Sequence, residues 1–160
     1  MYDFAPTADA PKAETYRELG LAARALGEGE PDPVANMANV AALIWQFVPR
    51  LNWAGFYRMA GDELVLGPFI GKPACIRIPL GKGVCGVAAA SGETQLVEDV
   101  HAFPGHIACD GASASELVVP VLREGAVVAV IDLDSPEMAR FDAEDARGIA
   151  ALAEALAPHV

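Results

Sequence analysis

The chain has 160 residues, an apolar share of 53% and a formal net charge of −11. That length suits one domain with a substantial core, and no apolar run approaches the roughly 20 residues that a membrane span needs. The acidic excess argues against nucleic acids as partners, and no run of basic residues supports binding to a membrane surface. The N-terminus lacks a basic region followed by an apolar segment, so we expect no export signal and a cytoplasmic location.

The first third of the chain predicts a flexible arm, residues 1–10, followed by two helices. Apolar residues recur at spacings of three and four over residues 11–27, which is the helical period. A second apolar stripe begins after Asp32 and Pro33, an N-cap residue followed by a proline in the first turn. We treat residues 11–160 as a single domain.

The rest of the chain predicts a sheet. Residues 52–59 alternate, which places Trp53 and Tyr57 on one face and Ala54 and Phe56 on the other. Further strands are predicted over residues 63–69, 74–79, 94–98, 116–123 and 126–134, a short helix over 81–90 and a closing helix over 143–157. Hairpin connections dominate, so the predicted fold class is α+β, with a central antiparallel sheet flanked by helices.

Acidic residues near the end of the last strand suggest a pocket. Period-two alternation places Asp132 and Asp134 on one face and Ile131 and Leu133 on the other. Neighbouring carboxylates repel, so at least one should be harder to ionise than usual, and a ligand that compensates the charge would explain the arrangement. The alternative is that both aspartates simply cap a strand end in water.

Three cysteines are too few for a disulfide framework, which leaves packing, metal or redox roles. Cys85 lies in the short apolar helix and is most simply a small buried residue. Cys75 and Cys109 lie on loops, where two accessible thiols can form a reversible disulfide. The loop that carries Cys109, residues 101–115, is long enough to be a binding segment.

A metal site is an alternative use of the same loop. His101, His106 and Cys109 lie close together in sequence, but their spacing matches none of the usual zinc signatures and no CxxC pair is present. We therefore expect no metal.

Seven blocks of sequence, in this order along the chain, resemble the free methionine-R-sulfoxide reductases, which are single-domain GAF proteins. The blocks are NWAGFY (52–57), LGPF (66–69), GKPACIRI (71–78), GVCG (83–86), HIACD (106–110), SELVVP (115–120) and IDLDS (131–135). The resemblance covers the chain from Asn52 to the closing helix. It implies a GAF-like fold and reduction of free L-methionine (R)-sulfoxide to methionine.

The resemblance also implies roles for the cysteines. Cys109 corresponds to the nucleophile, Cys75 to the resolving thiol, and Cys85 to an auxiliary cysteine whose need varies within the family. Electrons would come from NADPH through thioredoxin, with no metal or organic cofactor. Because isolated GAF domains often pair through their flanking helices, a homodimer is also expected as an option.

The remaining site residues follow from the resemblance and from the chemistry of sulfoxide reduction. Trp53 and Tyr57 match aromatic pocket residues, and Glu116, Asp132 and Asp134 match carboxylates that bind substrate. A thiolate displaces the sulfoxide oxygen only if that oxygen gains a proton, so a neutral carboxyl, Glu116 or Asp134, is the candidate donor. Asp132, or another carboxyl of the same cluster, would then pair with the substrate ammonium, and Trp53 would pack against the S-methyl group.

A function of another class stays open at this point. GAF folds also serve as non-catalytic modules that sense a small ligand or the redox state, and a fold alone does not establish an enzyme. A sensor would bind its ligand without turning it over.

Overall fold

The structure is a computed structural model that describes residues 3–107 and 110–160. Cys109, which is expected to be the nucleophile, therefore lies outside the described residues. No helix in the described ranges is both long and apolar enough to span a bilayer.

In these ranges the chain forms four α-helices and six strands. The helices are α1 (Lys12–Gly27), α2 (Pro33–Phe47), α3 (Gly83–Ser91) and α4 (Ala143–Leu156), and the strands are β1 (Trp53–Ala60), β2 (Glu63–Gly71), β3 (Arg77–Pro79), β4 (Gln95–Val97), β5 (Ser115–Arg123) and β6 (Ala126–Ser135). Single turns of 3-10 helix lie at Val100–Ala102 and Ala157–His159. The predicted order of helices and strands is confirmed.

The strands form one antiparallel sheet in the order β3-β2-β1-β6-β5-β4. Glu124 and Gly125 join β5 to β6 with positive φ angles of 53° and 81°, as a two-residue type I′ hairpin turn requires. The β1–β2 and β5–β6 hairpins lie side by side, and β1 pairs with β6 at the centre of the sheet. The α+β class with an antiparallel sheet is therefore confirmed.

The two faces of the sheet carry different layers. Ile131 and Leu133 face the larger core, which packs against α1, α2 and α4. Val130 belongs to the smaller core on the opposite face, together with residues of α3. The predicted alternation of β1 is also confirmed, because Ala54 and Phe56 lie in the larger core whereas Trp53 and Tyr57 lie in the smaller one. The α3 face is the one that carries Asp132.

Strand β3 is shorter than predicted. The sequence predicted a strand over residues 74–79, but only Arg77–Pro79 pair with β2. The backbone before them leaves the regular ladder, and the Cys75 carbonyl accepts a hydrogen bond of 3.0 Å from the Tyr57 hydroxyl instead. This departure places Cys75 on a loop beside the smaller core.

Residues 3–10 make contacts with the domain. The backbone amide and the hydroxyl of Thr7 both donate hydrogen bonds to Glu18, at 2.9 Å and 2.5 Å. Phe4 packs against the edge of the larger core. The flexibility of residues 1–10 stays a prediction.

The contact between α1 and α4 allows a test of the packing. A Cβ atom on Gly148 of α4 would lie 2.2 Å from Cγ of Tyr16, and the Tyr16 hydroxyl is held by a 2.7 Å hydrogen bond to Asp145. Because the ring cannot retreat without breaking that bond, Gly148→Ala should lower the free energy of unfolding by about 2–3 kcal/mol. Urea denaturation measures the change.

Gly20→Ala is the matched control, since Gly20 lies inside α1 and a Cβ there meets nothing within 4 Å. That variant should be more stable by up to about 1 kcal/mol, because alanine restricts the unfolded chain. Equal effects of the two substitutions would contradict the packing described between α1 and α4.

Candidate active site

A pocket lies on the α3 face of the sheet, close to the end of β6. It encloses about 370 Å³ of empty space, counting its open mouth. Its lining residues are Tyr57, Ile78, Gly83, Val84, Cys85, His106, Ile107, Asp110, Ser113, Glu116, Asp132 and Asp134. A second depression shares four of these residues and also includes the ring of Trp53. It is lined by Trp53, Tyr57, Pro73, Ala74, Asp110, Asp132 and Asp134.

Three carboxyl groups come together because of strand register. Glu116 of β5 lies directly opposite Asp134 of β6, and Asp132 follows two residues earlier on the same face. Glu116 and Asp132 are each only 6% exposed. The Oδ1 atom of Asp132 has no hydrogen-bond partner among the described residues. The predicted acidic pocket is therefore present, and the alternative of strand-end aspartates in water is wrong for Asp132.

Burial and mutual repulsion shift the ionisation of this acidic cluster, Glu116, Asp132 and Asp134. The pKa of Glu116 is raised well above its ordinary value by burial and then by the charges of Asp132 and Asp134. The pKa of Asp134 is raised by burial and then by Asp132. Burial raises the pKa of Asp132 to about 7, while hydrogen bonds from Cys85 and Glu116 oppose that rise. Burial therefore favours the protonated form in all three carboxyls.

Cys85 adds a thiol to the acidic cluster. It is a buried free cysteine on α3, and its Sγ lies 4.0 Å from Oε1 of Glu116. Burial and the charges of Asp132 and Glu116 raise the pKa of this thiol. The predicted burial of Cys85 is confirmed, but its neighbours are carboxyl groups as well as apolar side chains.

Stacked aromatic rings form the other wall. The Trp53 ring is stacked on Phe69, with centroids 5.2 Å apart, and on Tyr57 at 5.9 Å. The indole N–H donates to the carbonyl of Lys72 at 3.2 Å, which ties the wall to the loop that carries Cys75. Trp53 and Tyr57, which the resemblance gives as aromatic pocket residues, lie together with Asp132 and Asp134 in the second depression.

The redox cysteines are placed only in part. Cys75 is half-buried and disulfide-bonded. Residues 108 and 109 lie outside the described residues, but their neighbours Ile107 and Asp110 both line the pocket. The role expected for Cys109 stays a prediction.

Comparison with known proteins identifies the family. Residues 34–160 match the GAF domain family. The free methionine-R-sulfoxide reductase of Escherichia coli is 49% identical over 138 residues, which cover 86% of this chain and 84% of that protein. The chain belongs to the free methionine-R-sulfoxide reductase family. A free methionine-R-sulfoxide reductase from Neisseria meningitidis, whose X-ray structure contains its substrate, superimposes with a TM-score of 0.94 at 43% identity, covering 99% of this chain and 95% of that one.

Another similar structure has a different description. A Burkholderia vietnamiensis protein, provisionally described as a GAF sensor, has a TM-score of 0.91 and 58% identity and covers 94% of this chain and 96% of that chain. A GAF fold supports both kinds of function, so the role of this family member has to be argued from its pocket.

In this member of the free methionine-R-sulfoxide reductase family, polar residues absent from the predicted site hold the pocket rim. The Asn52 side-chain amide donates to Oδ2 of Asp110 at 3.2 Å and to Oγ of Ser113 at 3.0 Å. Lys72 approaches the other oxygen of Asp110 at 3.4 Å. The backbone N–H of Ala112, followed by Asn52 and Lys72, lowers the pKa of Asp110. The only sequence feature that could have indicated this role of Asn52 is its position directly before the aromatic strand β1.

His101 and His106, which lie five residues apart in sequence, differ in their position relative to the pocket. His101 is exposed, whereas His106 lines the pocket and places Nε2 3.8 Å from Oε2 of Glu116. Burial lowers the pKa of His106. The prediction of no metal at His101, His106 and Cys109 stays untested, because Cys109 lies outside the described residues.

Proposed function

We propose that this chain reduces free L-methionine (R)-sulfoxide to L-methionine with its own thiols and is regenerated by thioredoxin. The observation that carries the proposal is the buried acidic cluster beside a stacked aromatic wall, in a pocket that Ile107 and Asp110 also line. The name of the Escherichia coli relative and the Neisseria meningitidis complex support the same substrate.

Substrate binding would use the acidic cluster. Asp132 has a pKa raised to about 7 and a buried oxygen with no hydrogen-bond partner among the described residues, so it is the group that the substrate ammonium would pair with. Trp53 and Tyr57 would enclose the S-methyl group. A small apolar box of this kind favours one sulfoxide epimer, because the other would place its oxygen against the rings.

Glu116 is our first candidate for the proton donor. Its pKa is raised well above the ordinary value by burial and by both neighbouring aspartates, which favours the protonated form that a donor needs. Asp134 is second, because a hydrogen bond from Ser113 opposes the rise in its pKa. The imidazole of His106, 3.8 Å from Glu116, provides a route for a new proton from the pocket mouth.

The reaction balances with these groups. The Cys109 sulfur attacks the sulfoxide sulfur, the oxygen is transferred to Cys109 with a proton from Glu116, and methionine leaves. The resulting sulfenic acid condenses with the Cys75 thiol, forms a disulfide and releases water. A dithiol of thioredoxin then reduces that disulfide and becomes oxidised itself.

The state of the described thiols supports this order. Cys75 is disulfide-bonded, whereas Cys85 is free and buried. Cys75 is therefore our resolving thiol, and Cys85 is an auxiliary one.

We propose no metal or organic cofactor for the reaction, a cytoplasmic location with electrons from NADPH, and a homodimer as an option. Residues 1–10 would be a flexible arm on a single domain, with no role for nucleic acid or membrane.

The decisive test is a coupled assay with NADPH, thioredoxin reductase and thioredoxin. Free L-methionine (R)-sulfoxide should consume NADPH, whereas the S epimer and a peptide-bound sulfoxide should consume little. The peptide bond removes the ammonium charge that would pair with Asp132. Comparable rates with all three substrates would contradict the proposal.

The same assay separates the enzyme from the sensor. A GAF sensor would bind methionine sulfoxide, visible as quenching of Trp53 fluorescence, without releasing methionine. Binding with no turnover under reducing conditions would favour the sensor.

A further inference from the structure

The acidic cluster contains more ligand atoms than a single ammonium group uses. The Cys85 thiol and one carboxylate oxygen each from Glu116 and Asp132 lie within 4.8 Å of one another, and all three residues are buried. Oδ1 of Asp132 is buried and lacks a hydrogen-bond partner among the described residues. An unsatisfied buried acceptor is costly, so a cation bound at this oxygen would stabilise the cluster.

The charge of the pocket favours a divalent ion. Its described lining includes four carboxyls, Asp110 and the three of the acidic cluster, and no Lys or Arg. Lys72 pairs with Asp110, at 3.4 Å. An amino acid offers one ammonium charge, whereas a divalent cation would balance two carboxylates at once.

The distances suit a small borderline cation. Zinc binds sulfur at about 2.3 Å and oxygen or nitrogen at about 2.0 Å in tetrahedral sites, which gives ligand-to-ligand distances of about 3.3–3.8 Å. The Cys85 Sγ to Glu116 Oε1 distance is 4.0 Å, and the ligand atoms of Cys85, Glu116 and Asp132 all lie within 4.8 Å of one another. Small side-chain movements would therefore bring these three ligand atoms to tetrahedral spacing. A thiolate selects such ions over calcium and magnesium.

We propose that Cys85, Glu116 and Asp132 form a binding site for Zn²⁺ and similar thiophilic divalent cations, and that the ion excludes methionine sulfoxide from the pocket. The ion is an inhibitor and takes no part in the reaction. The competition rests on the proposed function, since it assumes that the substrate ammonium uses Asp132. The metal site itself does not.

The experiment uses the oxidised chain, in which a thiol assay should count one free cysteine. Titration with Cd²⁺ should give one ion per chain and a thiolate-to-metal charge-transfer band in the near ultraviolet, which reports ligation by Cys85. Cys85→Ala should remove the band, and Asp132→Asn should weaken binding at least about tenfold. Asp62→Asn, a change of the same kind in the exposed β1–β2 turn, should bind Cd²⁺ unchanged.

Several results would overturn the site: no charge-transfer band, a band that survives in Cys85→Ala, or equal binding by Asp132→Asn and Asp62→Asn. If Cys85→Ala does not fold, Cys85→Ser retains the volume and gives the same test, because serine produces no such band. In the coupled assay Zn²⁺ should raise KM for the sulfoxide and leave kcat unchanged. A chain that binds Cd²⁺ through Cys85 but reduces no sulfoxide would refute the proposed function alone.

Discussion

Replacing Glu116 by glutamine is expected to lower kcat by about a hundredfold to ten-thousandfold, the usual contribution of a general acid, with little change in KM. Glutamine has the same length and can still accept a hydrogen bond from Cys85, but it has no acidic proton to give the departing oxygen. Stopped assays of methionine release at saturating sulfoxide measure the loss.

Two further variants distinguish loss of the proton donor from other effects. Asp132→Asn should instead raise KM by about tenfold to a hundredfold, because a charge-assisted hydrogen bond to the ammonium is worth about 1.5–3 kcal/mol. Glu154→Gln, on the exposed side of α4, should leave both constants unchanged. If Glu116→Gln keeps its kcat while Asp134→Asn loses it, the proton comes from Asp134.

The ionisation of Asp132 and Glu116 predicts how kcat/KM and kcat change with pH. The folded pKa of Asp132 is raised to about 7, so its carboxylate is lost as the pH falls through that value, and kcat/KM should fall with it. On the alkaline side Glu116 must stay protonated, so kcat should fall only as the pH rises through its raised pKa. Asp132→Asn should abolish the acidic limb and keep the alkaline one.

The part of this site that could be predicted from sequence is the part set by local geometry. The alternation of β6 was enough to place Asp132 and Asp134 on one face, because side chains on a strand alternate whatever the strand packs against. Their pairing with Glu116 was not predictable in this way, because it depends on a register shift between Val121 and Leu122. The two-residue turn at Glu124 and Gly125 would by itself place Glu116 opposite Leu133, and the shift places it opposite Asp134.

The part that could not be predicted depends on distant contacts. Nothing around Cys85 in the sequence is charged except Lys82, yet α3 packs the thiol against carboxyls more than thirty residues away. The stacking of Phe69 on Trp53 needs the β1–β2 register, which shifts between Gly55 and Tyr57. The late start of β3 is likewise accompanied by a distant contact, the hydrogen bond from the Tyr57 hydroxyl to the Cys75 carbonyl, which the sequence around Cys75 does not indicate.

The second large effect concerns the two cysteines of the proposed catalytic cycle. Cys109→Ser should release no methionine, since a hydroxyl is far too weak a nucleophile at neutral pH to displace the sulfoxide oxygen. Cys75→Ser should release about one methionine per chain and then stall, because the sulfenic acid formed on Cys109 finds no thiol with which to condense.

Mass spectrometry after labelling with dimedone separates these outcomes from any loss of folding. The reduced Cys75→Ser chain, given sulfoxide and no other reductant, should carry the sulfenic acid adduct, whereas the wild-type chain should carry a disulfide and no adduct. With thioredoxin added, only the wild type should continue. Sustained turnover by Cys75→Ser would mean that Cys85 can resolve the sulfenic acid, and α3 would then have to move, because that thiol is only 4% exposed and burial raises its pKa.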